Sequence, residues 1–181
     1  MRIHVPSRRC RAGLAVIAAA ALASASLAAA VVAAAPASAA SAATPRCTVP
    51  SLKGSFTHPS ATSAQRFITL ALTNASRRAC SLSGFPAAQL LSASGRRIPT
   101  HVVQARGSKP KTIVLRPGQS GRSAWRYSVL AAQGEPTVGT CAATPSKIDV
   151  TPPHATDHLV LRWRGSQVCN RGSITVRAMT R

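Results

Sequence analysis

The stretch ITLALTNASRRACSLSGFPAAQLL, Ile68 to Leu91, carries two alternating patterns in a row. Ile68, Leu70 and Leu72 alternate with Thr69, Ala71 and Thr73, the period-two pattern of a strand with one face in a core. Asn74-Ala75-Ser76-Arg77-Arg78 breaks the alternation with turn-forming residues. Cys80, Leu82, Gly84 and Pro86 then fall on every second position. Gly84 tolerates a strained backbone, and Pro86 fixes φ and removes a donor, so the pair marks a bend. A strand, a turn and a cysteine-bearing segment in succession point to an all-β fold.

The same pattern continues on both sides. Ser41 to Ser63 is rich in Ser, Thr, Pro and Ala, with one edge strand expected near Thr48 to Phe56. Phe85 to Ala93, Ile98 to Gln104 and Thr112 to Leu115 read as strands, the last stopped by Pro117-Gly118. In Ala124 to Leu130 the residues Trp125, Tyr127 and Val129 alternate with Arg126 and Ser128. Lys147 to Val150, Leu159 to Trp163 and Ser173 to Met179 complete the set. The expectation is an immunoglobulin-like β-sandwich of about eight strands, with no internal repeat and no helix in this part of the chain.

The first residues read differently. Arg2, Arg8, Arg9 and Arg11 precede an alanine-rich apolar run, Leu14 to Ala35, and Pro36 and Ala37-Ser38-Ala39 follow it. That is the order of a cleaved signal peptide, residues 1–39, through which the chain meets a membrane only transiently. Ser7-Arg8-Arg9 hints at twin-arginine export, but Cys10-Arg11-Ala12 lacks the apolar residues expected next. Residues 40–63 then form a lead-in containing Cys47, and residues 64–181 the sandwich, or 47–181 with its N-terminal crosslink. About 140 residues remain, one domain's length.

The chain holds five cysteines, and Cys10 lies in the leader. Cys47, Cys80, Cys141 and Cys169 are an even set in an exported domain, which reads as two disulfides. Spacing argues against a metal site, because no two lie within a C-x-x-C motif. Of the three connectivities, the sequential one brackets neighbouring strands. It would close loops of roughly 30 residues and stabilise by about 3–4 kcal/mol each on the chain-entropy model.

Leu70-x-Leu72-Thr73-Asn74, Cys80-x-Leu82-x-Gly84-Phe85-Pro86, Leu91, Gly95, and Leu115-Arg116-Pro117-Gly118 before Ala124-Trp125 resemble a secreted actinobacterial family, domain of unknown function 4232. The resemblance covers Cys47 to the C-terminus. It implies an exported or lipid-anchored envelope protein with a small β-sandwich. It carries no assigned activity and transfers no functional residue. Thr44-Pro45-Arg46 before Cys47 is not a lipobox, which argues against an anchor here.

Composition restricts the chemistry. With 23 Lys and Arg against 3 Asp and Glu, the formal charge is +20, and about +16 without the leader. The carboxylates are Glu135, Asp149 and Asp157, so a glycosidase would need two of the three together. No Gly-x-Ser-x-Gly elbow or phosphate-cradling glycine loop occurs. Neither catalysis nor a cofactor is therefore expected. The nearest thing to a catalytic cluster is PPHATDH, Pro152 to His158, where His154, Asp157 and His158 are potential metal ligands. On a helix His154 and His158 would share a face; the plainer reading is a polar loop with exposed histidines.

The basic residues are the other signal. Arg77-Arg78 and Arg96-Arg97 lie in turns, at opposite ends if the strands near Ile68, Phe85 and Ile98 are successive antiparallel neighbours. Arg122, Arg126, Arg162 and Arg164 alternate with apolar residues and would form a polyanion-binding face if their strands share a sheet; the plainer alternative is a solubilising surface. One Tyr, two Trp and three Phe leave little for base stacking, so no specific nucleic-acid partner is expected. The reading that emerges is a secreted, extracellular or cell-wall binding or structural module. It would meet anionic wall polymers or another envelope protein. A metal-dependent or hydrolytic enzyme using His154, Asp157 and His158 is the alternative. A secreted inhibitor or effector, presenting the basic loop Arg106 to Lys111, is a further one.

Overall fold

The computed structural model describes residues 43–57 and 59–181; the expected signal peptide, residues 1–39, lies outside them. The described residues form eleven strands: β1 (Leu52–Phe56), β2 (Ser60–Ala61), β3 (Gln65–Asn74), β4 (Cys80–Leu82), β5 (Ala87–Leu91), β6 (His101–Gln104), β7 (Ile113–Leu115), β8 (Ser120–Ser128), β9 (Lys147–Thr151), β10 (Leu159–Arg162) and β11 (Ser173–Val176). One sheet runs β1-β3-β8-β11-β6, with β2 also paired to β3. A second runs β10-β9-β5, and β4 pairs with β7 alone. The protein is all-β, and its several sheets around one core are consistent with a sandwich.

The expected count of about eight strands was low because short strands carry too few residues to show a period. β2 has two residues and β4 three. The largest difference in topology concerns the segments near Ile68, Phe85 and Ile98. They are not successive neighbours: β3 and β6 lie in the large sheet, separated by β8 and β11, and β5 lies in the second. Ile98 donates to Leu90 O (2.9 Å), so the chain folds back on β5 before crossing to β6. β6 then runs parallel to β11.

Alternation works as expected within each strand. On β3, Ile68, Leu70, Leu72 and Asn74 are buried, and Thr69, Ala71 and Thr73 are half-exposed. β8 buries Ser123, Trp125 and Tyr127 and exposes Arg122, Ala124 and Arg126. These two strands pair antiparallel from Gln65↔Ser128 to Thr73↔Ser120 and form the spine of the large sheet. At its centre Trp125 and Trp163 meet Phe56 edge-on, with centroids 5.2 and 5.9 Å away, and Tyr127 lies 5.3 Å from Trp163. Such packing adds to the burial itself. The Trp125 indole is satisfied by Ser123 Oγ (2.9 Å), which in turn donates to Arg177 O.

Two disulfides close the structure, Cys47–Cys80 and Cys141–Cys169, with separations of 33 and 28 residues. The sequential pairing is the one formed. The first lies where Cys47 and Ser81 exchange backbone bonds with their surroundings: Cys47 N donates to Ser81 O (2.9 Å) and Ser81 N to Pro45 O (2.8 Å). It thereby fastens the chain's lead-in to β4.

Asn74 explains the turn that follows β3. It is fully buried. Its Nδ2 donates to Arg78 O (2.7 Å) and Leu115 O (2.9 Å), and its Oδ1 accepts from Ser76 N (2.9 Å) and Ser76 Oγ (2.7 Å). Gly118 N donates to Asn74 O (2.8 Å). One side chain thus satisfies a turn's polar groups and ties β3 to the end of β7, as a buried amide must.

Candidate functional site

The outward face of the large sheet is assembled from short and basic side chains. Across the strands, Phe67 on β3 pairs with Arg126 on β8, Arg126 with Thr175 on β11, and Thr175 with Val103 on β6. One step along, Arg177 N donates to Ala124 O (3.0 Å), which sets Arg177 beside Ala124. Arg122 lies two residues beyond Ala124 on the same face. Arg106 stands just past the end of β6.

These residues surround an open groove of about 480 Å³, with Ala124 and Thr175 in its floor, Phe67 and Val103 at its sides, and Arg126, Arg177 and Arg106 around it. Phe67 is 41% exposed and Val103 39%. No carboxylate lies on a strand of this sheet. Glu135 and Asp157 lie in connections and Asp149 on β9 in the second sheet.

The basic face expected from Arg122, Arg126, Arg162 and Arg164 does not form as one surface. Arg122 and Arg126 are on β8, whereas Arg162 is on β10 in the other sheet and Arg164 just beyond it. All four point to solvent. They do so from different layers, because Leu159 and Leu161 of β10 pack on the common core and turn Arg162 away from it. Arg177 replaces Arg162 as the partner of the β8 arginines. Its outward direction follows from the alternation with buried Val176 and Ala178, but its neighbours depend on β11 pairing with β8.

Pro152 to His158 is the loop of the β9–β10 hairpin, not a helix. His154 takes a left-handed backbone (φ 61°) and is exposed, next to Gly84. His158 turns towards β9, where its Nε2 lies 3.7 Å from Asp149 Oδ2, and Asp157 is exposed. Among the described residues no three His, Cys, Asp or Glu side chains gather where a metal could sit. The Asp149–His158 pair was not foreseen, since it depends on the hairpin register. Asp149 Oδ1 is buried with no hydrogen-bond partner among the described residues.

Glu135 is occupied structurally. Its carboxylate accepts from the backbone N–H of Ala132 (2.7 Å), Arg171 (2.5 Å) and Asn170 (2.9 Å). These bonds, with Ala132 the largest contributor, hold its pKa below the ordinary glutamate value. Asn170, Arg171 and Gly172 all have positive φ, at 56°, 56° and 73°. Glycine is required at the last, because a side chain there would run into Pro99 O. The carboxylate and Cys141–Cys169 together hold this turn to the loop after β8. That loop exposes Val138 by 90%. The basic connection Arg106 to Lys111 is tied down in its own way, with Ser108 Oγ accepting from Ala178 N (2.9 Å).

The motif residues themselves face inward or shape the backbone. Cys80 and Leu82 are buried on β4. Gly84 has φ 114°, and its carbonyl accepts from Met179 N (2.9 Å). Two disulfides are compatible with an extracellular protein, and no helix among the described residues is long and apolar enough to cross a membrane. No curated protein matches the sequence. A family model described as a domain of unknown function, DUF4232, matches residues 47–180, and the chain belongs to that family.

Proposed function

We propose that this chain is an exported, non-catalytic module of the cell envelope or its surroundings that binds an anionic polymer through the outer face of the large sheet. In this reading the layered sheets are an immunoglobulin-like sandwich, with the parallel β6–β11 pair at one edge. The observation that carries the proposal is the acid-free outer face of the sheet, where Arg106, Arg126 and Arg177 line the groove and Arg122 lies beyond it on β8, with no carboxylate on the sheet. Like charges held together on one face raise the local potential and attract polyanions. The bonds are salt-sensitive, because each neutralised anionic group releases a counterion.

Co-sedimentation of the purified protein with bacterial cell wall, across a salt series, tests this reading. Binding should weaken steeply with salt and vanish on wall stripped of its phosphate polymers. Arg126→Ala and Arg177→Ala should each reduce the slope of log K against log salt by about 0.7–0.9, whereas Arg162→Ala and Arg164→Ala should leave it unchanged. No binding to intact wall at low salt would make the charge a solubility feature.

A second reading, a secreted inhibitor or effector that contacts another protein, is favoured by Val138. An apolar side chain 90% exposed on a braced loop suits insertion into a partner's pocket. Capture of a partner by the protein but not by Val138→Asp would support it.

A further inference from the structure

The groove on the large sheet has features that a purely electrostatic surface does not need. Phe67 and Val103 stand on the same cross-strand row as Arg126 and Thr175, on either side of them. They are separated by three strand spacings, about 14 Å, with Arg126 and Thr175 between them, and the groove alongside is about 480 Å³. The floor between them is small, made by Ala124 and Thr175. Arg122 and Arg126 flank Ala124 on β8, and Arg177, just past the end of β11, lies beside Ala124. The three arginine positions therefore alternate across the β8–β11 seam, with diagonal backbone steps of about 7–8 Å. Arg106 adds a fourth at the groove's end.

We infer that this groove binds a single strand of an anionic glycan, with a sugar ring against Phe67 and its acidic substituents on Arg126, Arg177 and Arg106. The inference rests on the polyanion reading above and names the polymer class. Charge complementarity sets the sign of the ligand. The apolar walls set its chemistry: a pyranose ring has a face of C–H groups that packs on an aromatic ring, and its edge carries the charges outward to the arginines. A polyphosphate chain has no such face and would leave Phe67 and Val103 unused.

The position of the groove argues against an acidic peptide. Peptides commonly bind sheets by adding a strand to an open edge, where backbone groups are free. Here β8 and β11, which make the floor, are paired on both sides, and the open edge of the sheet is that of β6 at the groove's side, so a ligand lying on the floor meets no unpaired sheet backbone. Recognition on the floor comes from side chains. A membrane is also a poor fit, because the apolar groups are the sides of a concave groove with cations between them, not a convex patch.

The experiment measures binding of the full protein to three labelled probes matched in charge: a sulfated heparin oligosaccharide, linear polyphosphate and poly-glutamate. Each is titrated at several salt concentrations with the native chain, Phe67→Ala, Val103→Ala and Arg126→Ala. Melting temperatures confirm that the variants remain folded. Phe67→Ala should weaken the heparin probe about five- to tenfold with its salt slope unchanged. The same variant should leave polyphosphate unaffected, and Val103→Ala should act in the same direction with a smaller effect. Arg126→Ala should flatten the salt slope for every anion that binds. If Phe67→Ala has no effect on the heparin probe, or weakens polyphosphate equally, the glycan inference fails while the polyanion reading stands. Poly-glutamate binding that depends on Phe67 as strongly would also overturn it. If none of the three binds saturably at low salt, the polyanion reading itself fails.

Discussion

The two disulfides close loops of similar length, 33 and 28 residues, in very different surroundings. Around Cys47–Cys80 the chain is held by many bonds besides the crosslink. Both cysteines are buried, the lead-in bonds to Ser81, β4 pairs with β7, and the Asn74 network fixes the turn between β3 and β4. Around Cys141–Cys169 there is no strand between β8 and β9. Val168 and Cys169 are buried, but Cys141 is half-buried in a strandless loop, and the left-handed Asn170 and Arg171 are exposed and held by Glu135. A crosslink stabilises by the entropy it removes from the unfolded chain, less whatever freedom the folded chain regains without it. The first loop regains little and the second much. The same covalent bond should therefore be worth more in the better ordered region.

That difference can be tested in order of effect. Replacing Cys47 and Cys80 together by Ala should lower stability by about 3–4 kcal/mol, close to the full chain-entropy value, as measured by denaturant unfolding. Asn74→Ala should cost about 2–3 kcal/mol, because Leu115 O and Arg78 O lose their donor and Ser76 its acceptor in a buried site. An Asn74→Ala cost much below about 1 kcal/mol would mean that water enters the turn and replaces the amide. Replacing Cys141 and Cys169 by Ala should cost only about 1–2 kcal/mol. Its main sign should be faster hydrogen exchange across residues 131–145 and 169–172. Equal losses from the two double replacements would remove the contrast.

The smallest effect concerns Glu135 and acid. Its folded pKa is depressed, so its contribution is present above the ordinary glutamate pKa and is lost as pH falls through the depressed value. Acidification should raise amide exchange at Asn170 and Arg171 before the large sheet opens. Glu135→Gln should show the faster exchange already at neutral pH and lose the pH dependence. Unchanged exchange at those two amides would show that the disulfide alone holds the turn.

The parts of the fold that were legible are those governed by local period. Ile68, Leu70 and Leu72 had to face one way, and Arg126 had to face opposite Trp125 and Tyr127, because side chains alternate along any strand. The disulfide partners were only partly legible: three connectivities were open, and the sequential one, which brackets neighbouring segments, is the one formed. β4 was not legible as a separate strand, since the alternation of Cys80 and Leu82 runs on into the bend at Gly84 and Pro86 with no break to mark its end. The β6–β11 parallel pair was hidden for another reason: parallel neighbours can be far apart in the chain, and no turn residue marks them.

The site divides in the same way. The exposure of Arg122, Arg126, Arg162 and Arg164 follows from alternation, but their division between two layers follows from which strands pair. Arg177 had the same outward signal and was not singled out, because its value lies in standing beside Ala124 and Arg126 rather than in any local motif. For His154, Asp157 and His158 the plainer reading, a polar loop, was legible between two strand patterns, and the hairpin places them in such a loop.

The amino-acid order by itself determined the all-β class, the inward and outward faces of the long strands, the four crosslinking cysteines and the shortage of carboxylates. Each depends on residue identity and on the two-residue repeat of an extended chain. Tertiary structure alone decided which arginines meet, that Phe67 and Val103 flank one groove, and that His158 faces Asp149. Strand order and register set these, and they result from packing the whole core, which no local stretch of sequence encodes.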